Sequence, residues 1–230
     1  FFFKQKTAYE IPKRDWSSDV CSSDLDQSLL ASGRLDNQLS CWAAVRSLAA
    51  LTQHTGVAVA ALFDHEEVGS ESTTGAGGPL LEHVLERVSL ASRKSRGEYL
   101  TMLTKSVCLS CDNAHAVHPN YPERHDHKHA PLANAGIALK VNSNQRYATS
   151  AESAAVFYAA CDAAGVRHQT FQSRNNMPCG STIGPITATR LGITTVDIGV
   201  PQLSMHSARE VCGVADALDL PRVGRAFLRG

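Results

Sequence analysis

The chain has no net formal charge, because 22 Lys and Arg residues balance 22 Asp and Glu. No basic stripe offers a surface to nucleic acid, and no apolar run is long enough to span a membrane. There is no internal repeat and no low-complexity linker, so nothing divides the sequence into modules. The amino terminus lacks the apolar core and small-residue cleavage site of a secretory signal. Cysteine is present but unorganised. Apart from Cys21, the cysteines Cys41, Cys108, Cys111, Cys161, Cys179 and Cys212 are scattered in mostly apolar surroundings, the pattern of reduced thiols in a cytoplasmic protein. Cys108 and Cys111 form a CxxC, but no second one exists to complete a zinc knuckle. Gly75-Ala76-Gly77-Gly78 has no following Lys-Ser or Lys-Thr, so it is no phosphate loop; it predicts a close backbone approach or a flexible turn.

The first 25 residues stand apart. Phe1 to Ile11 and Asp15 to Leu25 resemble the conceptual translation of a sequencing-library adapter, with Pro12-Lys13-Arg14 where a variable index would fall. They show no sustained helical or strand period. Residues 1–25 are therefore expected to be unstructured. About 205 residues remain, enough for one sizeable core.

In residues 26–230, apolar runs alternate with helical patterns. Helices are expected over Leu39–Leu51, Pro79–Leu90, Ala151–Ala164 and Ser181–Leu191, and in the tail from Ser207. Strands are expected at Val57–Phe63, Ser106–Ser110, Ile137–Val141, Val166–Phe171 and Thr194–Ile198. This order predicts an α/β fold, a mixed and mostly parallel sheet flanked by helices on both faces. The Pro-punctuated stretch 113–131 reads as a surface loop.

The chemistry gathers after the strands. Asp64-His65-Glu66-Glu67 follows the run Val57–Phe63, at the strand end where open α/β sheets place ligands. Neighbouring side chains there diverge, so one carboxylate can hold a metal while the other faces water. Asp112 follows a second strand, and His206 follows a third through Gly199-Val200-Pro201. Asp36 lies between a Gly turn and a helix, and by itself reads as a cap. Carboxylates with imidazole suit zinc, cobalt or manganese. The set carries the signal; each member alone has an ordinary structural reading. His125, His127 and His129 alternate on the Pro-rich loop, where alternation aligns nothing unless the loop is a strand. The turn Cys179-Gly180-Ser181-Thr182 opens a helix whose free N–H groups could take a carboxylate, or it is a simple cap.

Five strings complete the picture: Arg34–Asn37, Asp64–Ser70, Asp112–Tyr121, Met177–Pro185 and Leu203–Glu210. In this order they resemble the aspartyl aminopeptidases, the M18 family of metallopeptidases, from about Gly33 onwards. The resemblance implies a di-zinc peptidase that releases amino-terminal Asp or Glu from peptides. Asp36 would bridge two zinc ions, Glu67 and His206 would complete one, and Asp112 would serve the other. Glu66 would be the general base, moving a proton from the attacking water to the leaving amine. His115 and Lys140 match substrate-pocket positions, joined by Gly180 and Ser181 as binding candidates. Lys140 would pair with an acidic side chain or polarise the scissile carbonyl. The family's further histidine ligand and its dimerisation domain come from upstream of Asp36. Residues 26–230 are thus expected to be the carboxyl-terminal part of the catalytic domain. The full-length enzyme is expected to be a cytoplasmic homo-oligomer, and this polypeptide alone to show little or no activity. A related di-zinc peptidase of other specificity and a non-catalytic scaffold are the alternatives.

Overall fold

A computed structural model of the chain describes residues 26–230, so the expectation for residues 1–25 lies outside the described residues. Strands β2 (Val107–Cys111), β4 (Ile137–Val141), β5 (His168–Gln172) and β6 (Thr194–Gly199) form one sheet in the order β2-β6-β4-β5. Pairs β2–β6 and β4–β5 are parallel, and β4–β6 is antiparallel. A second sheet, unanticipated from the sequence, has the order β1-β8-β7-β3, built from β1 (Leu29–Ser32), β3 (Ala114–His115), β7 (Pro201–Leu203) and β8 (Glu210–Gly213). The fold is mixed α/β as expected, with its strands shared between two sheets.

Strand alternation separates the two faces of the first sheet. Val196 and Ile198 of β6 join Ile137 and Leu139 of β4 in the main core. Helices α1 (Leu35–Ala49), α4 (Ala151–Ala164) and α6 (Val214–Arg229) close this side with Leu39, Phe157, Leu220 and Val223. Asp197 of β6 faces the other way, towards the start of α5 (Ile183–Leu191), where Thr182 Oγ1 donates to it at 2.7 Å. A Cβ on Gly184 would lie 2.3 Å from that carboxylate, so only glycine lets α5 sit so close. Helices α2 (Leu80–Ala91) and α3 (Arg96–Thr104) add a satellite cluster of Leu81, Leu85, Tyr99 and Leu103 against Leu191.

Two expectations are corrected. Val57–Phe63 forms no strand, because no partner strand reaches it among the described residues; Val57, Val59 and Leu62 are exposed. The tail does not turn helical at Ser207, since Glu210–Gly213 pairs first with both β1 and β7. Helix α3 was not anticipated, although Ser95 and Glu98 form a capping box at its start.

Candidate metal centre

The site forms where two strands pass from one sheet to the other. Chain from β2 enters β3, and chain from β6 enters β7, with the hydrogen-bond ladder unbroken across the join. Asp112 N–H donates to Ile198 O at 3.1 Å and Ala114 N–H to Val200 O at 3.0 Å. A Cβ at Gly199 would meet Asp112 O at 2.0 Å, so glycine is required for this contact. The bend aims Asp112 out of the ladder.

Asp36 reaches the same point from the β1–α1 junction. It has φ −85° and ψ 111°, outside helical geometry, and its peptide bond to Asn37 is cis. It does not act as the helix cap that its local sequence suggested. Two amides fix this segment on the end of β2: Asn37 Nδ2 donates to Cys111 O at 3.1 Å and Asn113 Nδ2 to Leu35 O at 2.9 Å. Glu210, buried on β8, holds two of the expected ligands at once. Its Oε2 accepts from Asp36 N–H at 2.9 Å, and its Oε1 from His206 N–H at 2.6 Å.

His206 Nε2 consequently lies 2.9 Å from Asp36 Oδ2 and 3.1 Å from Glu67 Oε2. One ligand atom from each of Asp36, Glu67 and His206 falls within 4.8 Å of the others. Asp112 stands close enough to Asp36 for its charge to raise the Asp36 carboxyl. Asp112 Oδ2 accepts from Lys140 Nζ at 2.8 Å. Three of the expected ligands thus form one group, with Asp112 beside it and bound to Lys140.

Electrostatics marks the cluster as short of positive charge. Burial first, and then Asp112, Glu67 and Glu210, push the Asp36 carboxyl up to about 9. The ion-pair geometry with His206 pulls the other way, but burial plus neighbouring carboxylates outweighs a histidine that is largely exposed. Asp36 Oδ1 is buried and accepts no hydrogen bond in the structure. A buried carboxylate oxygen without a partner, beside three acids and an imidazole, is a donor set suited to a divalent cation such as zinc. Glu66 stands next to this cluster. Burial, Asp112 and Glu67 raise its carboxyl to about 7, against the opposing pull of Lys140 and His206.

The acidic turn is a 3-10 segment, Glu66–Val68, closed by Ser70 N–H donating to His65 O at 2.8 Å. Gly75 and Gly77 crowd the Ser70 carbonyl, where a Cβ on either would come within 3 Å. The Gly-rich stretch thus serves close backbone approach.

Lys140 is buried, on the face of β4 opposite the main core. Its ammonium donates to Asp112 Oδ2, Asp112 O and Asn113 O and lies 4.9 Å from the Tyr147 ring centroid. His115 sits on β3, with its ring 6.2 Å from Phe171. Burial, then Lys140, lowers its pKa and favours the neutral ring. Gly180 and Ser181 lie on the loop before α5, apart from the carboxylate cluster; Ser181 Oγ donates to Arg146 O at 3.1 Å. The first turn of α5 has no side-chain cap, because Thr182 turns its hydroxyl to Asp197.

Sequence reasoning overlooked Glu210 as a holder of the site, although it closes the string Leu203–Glu210. It also passed over Tyr147 and Asn113. Cys108 and Cys111 face opposite sides of β2, in the satellite and main cores, so they cannot share a metal. Of the loop histidines, His125 is buried with Nε2 3.3 Å from His115 O, and His129 pairs with Asp126.

The family model described as aminopeptidase I zinc metalloprotease (M18) matches residues 19–228. A probable M18 family aminopeptidase 2 of Streptomyces coelicolor is 53% identical over 208 residues, covering 89% of this chain and 48% of that protein. Its counterpart in Mycobacterium tuberculosis H37Rv is 50% identical over 205 residues, 87% of this chain and 47% of that protein. Among solved structures, yeast aminopeptidase 1 superposes with a TM-score of 0.77 at 32% identity, over 89% of this chain and 46% of that one. The mApe1 dodecamer of Saccharomyces cerevisiae gives 0.76 at 32% identity, over 89% and 46%. The chain thus spans about half the length of the curated relatives it matches.

Proposed function

The chain belongs to the M18 family of zinc metallopeptidases, and from that premise we propose that it supplies the catalytic carboxylates of an aminopeptidase that removes amino-terminal Asp or Glu from peptides. The observation that carries the reading is the grouping of Asp36, Glu67 and His206, with Asp112 and Glu66 beside them. Asp36, Glu67 and His206 would hold zinc, with Asp36 shared towards Asp112 if a second ion binds. Zinc held there supplies Lewis-acid polarisation of the peptide carbonyl and makes water more acidic.

The other steps belong to the chain. Glu66, with its proton affinity raised to about 7, can take a proton from the attacking water and return it to the leaving amine. Lys140 holds Asp112 in place and adds a buried positive charge that favours an acidic first residue. His115, kept neutral by its surroundings, can hydrogen-bond the substrate from the rim. Gly180 and Ser181 lead to the uncapped first turn of α5, which suits a carboxylate.

The acting species in this proposal is the cytoplasmic homo-oligomer of the complete polypeptide. The dodecameric assembly of the yeast relative supports the oligomer. No helix among the described residues is long and apolar enough to cross a membrane.

Glu66→Gln tests the reading in the zinc-loaded full-length protein. Turnover of Asp-terminated peptides should fall about 100-fold or more while zinc content is unchanged. Retained turnover places the base elsewhere. Equal cleavage of Ala-terminated peptides by the unaltered protein rejects acidic specificity and leaves a di-zinc peptidase of another preference.

A further inference from the structure

A cleft borders the side-chain cluster that Lys140 touches through Tyr147. Lys140 Nζ lies over the Tyr147 ring, and Cys179 packs against the cluster that holds Tyr147 and Phe171. Cys179 is on the rim of a cavity of about 430 Å³, lined also by Asn142, Asn144, Arg146, Arg174 and Asn175. That volume is in the range of small-ligand sites. None of the described residues lining it is acidic.

Its two guanidinium groups are available to a ligand. Arg146 is exposed, and its side chain makes no hydrogen bond or ion pair among the described residues. Arg174 commits one nitrogen to the Glu123 carbonyl, which steadies the side chain and leaves other N–H donors free. The loop between them is shaped for this. Asn142 Oδ1 accepts from Asn144 N–H at 2.9 Å and from Arg146 N–H at 3.4 Å, which curls the chain, and Asn142 Nδ2 reaches across to Ser173 Oγ. A smaller adjoining cavity shares Ser173, Arg174 and Asn175 and brings in Asp126, whose Oδ1 is already engaged by His129 and by Lys128 N–H.

Arginine forks of this kind match a planar carboxylate. The ammonium of Lys140 cannot serve the cleft as well, because its three donors already have protein acceptors. We propose that the cleft lined by Arg146 and Arg174 binds a carboxylate carried by the substrate downstream of its amino-terminal residue. The inference rests on the peptidase reading for what enters the site. An extended peptide that starts at the carboxylate cluster advances about 3.3 Å per residue, so the cleft is met by residues after the first. The carboxylate is then the α-carboxylate of a short peptide or an acidic side chain beyond its first residue. The protein would favour short acidic peptides over the amino termini of neutral chains.

Calorimetric titration of the chain with Asp-Ala-Ala, Asp-Ala-Glu-amide and Asp-Ala-Ala-amide tests this without turnover. At least one carboxylate-bearing peptide should bind about tenfold tighter than the neutral amide, the size of a charge-assisted hydrogen bond. The first two peptides tell α-carboxylate from side chain. Arg146→Ala touches no packed group and should by itself remove most of that preference; Arg146→Ala with Arg174→Ala should abolish it. Three equal affinities, no binding by any peptide, or a preference that survives the double variant overturns the proposal. Ala-Ala-Ala in place of Asp-Ala-Ala reads the first residue separately. Loss of amino-terminal preference with the downstream preference intact would sink the Asp/Glu specificity and spare the cleft.

Discussion

The two walls of the carboxylate cluster are built in opposite ways. Asp36, Asp112 and His206 stand on a wall of paired strands, fastened by Asn37, Asn113 and Glu210 and backed by the main core. Glu66 and Glu67 end an extended run with no strand partner among the described residues, whose Val57 and Leu62 are 59% and 48% exposed. The short turn around them is hydrogen-bonded within itself, as in Asp64 N–H to Thr74 O at 3.2 Å. A fixed half thus faces a half whose placement depends on little outside its own turn. Local stability differs accordingly, since few buried contacts and solvated backbone mark segments that open easily.

Substitutions should reproduce that difference in size. Phe157→Ala removes a fully buried ring behind the fixed wall and is expected to cost about 3 to 5 kcal/mol in denaturant unfolding. A cost below about 1 kcal/mol would mean that the core behind β4 and β6 is not the support described. Glu210→Ala leaves two part-buried backbone N–H groups without their acceptor and is expected to cost about 2 kcal/mol. It should also weaken zinc binding strongly, and Glu210→Gln should restore part of both, which a purely structural loss would not link.

A pH series probes the same wall through Asp216. This buried carboxyl accepts from Gly136 N–H at 2.8 Å and Asn134 N–H at 2.6 Å, which favours its ionised form. Burial outweighs them and raises it to about 6. A raised folded value means that the protonated group stabilises the fold. That contribution is complete below the ordinary aspartate range and is lost as pH rises through about 6. Between pH 5 and pH 7 it should fall by about 1 kcal/mol, seen as the change in the stability difference between the chain and Asp216→Asn. A constant difference would show that the two backbone bonds hold the group ionised throughout.

The smallest effect is expected on the other wall. Leu62→Ser should change stability by no more than about 0.5 kcal/mol, because the side chain is already half in water. Amide hydrogen exchange gives the matching readout, with 57–63 exchanging far faster than Val196–Ile198. Slow exchange at 57–63 would erase the contrast between the walls.

The sequence disclosed the parts of the fold that declare themselves locally. The β-branched run Thr194–Ile198 and the alanine-rich helix ending at Gly165 are continuous patterns, and both elements form there. The second sheet has no such pattern. Its strands are two to four residues long, and β1 meets β8 only after nearly the whole chain has folded between them. Val57–Phe63 failed for the converse reason: its apolar run is a statement about a partner strand, and pairing is not a local property. At the site, ligand chemistry marked Asp36, Glu67, Asp112 and His206 as a set. Glu210 was hidden because it acts on backbone N–H groups, and residue type gives no sign of which backbone a carboxylate will meet. Arg146 and Arg174 were hidden among ordinary surface charges until the loops brought them to one cleft.

The double grip of Glu210 also determines how the cluster wanders. Asp36 and His206 hang from the two oxygens of one carboxylate, so a tremor of β8 carries both in step and their spacing is conserved. Glu67 rides on an independent mount. Of the distances within the trio, those to Glu67 alone have no common anchor in Glu210. The geometry of the pocket therefore has one slack coordinate, and whatever steadies the acidic turn sets how often the whole constellation is in register.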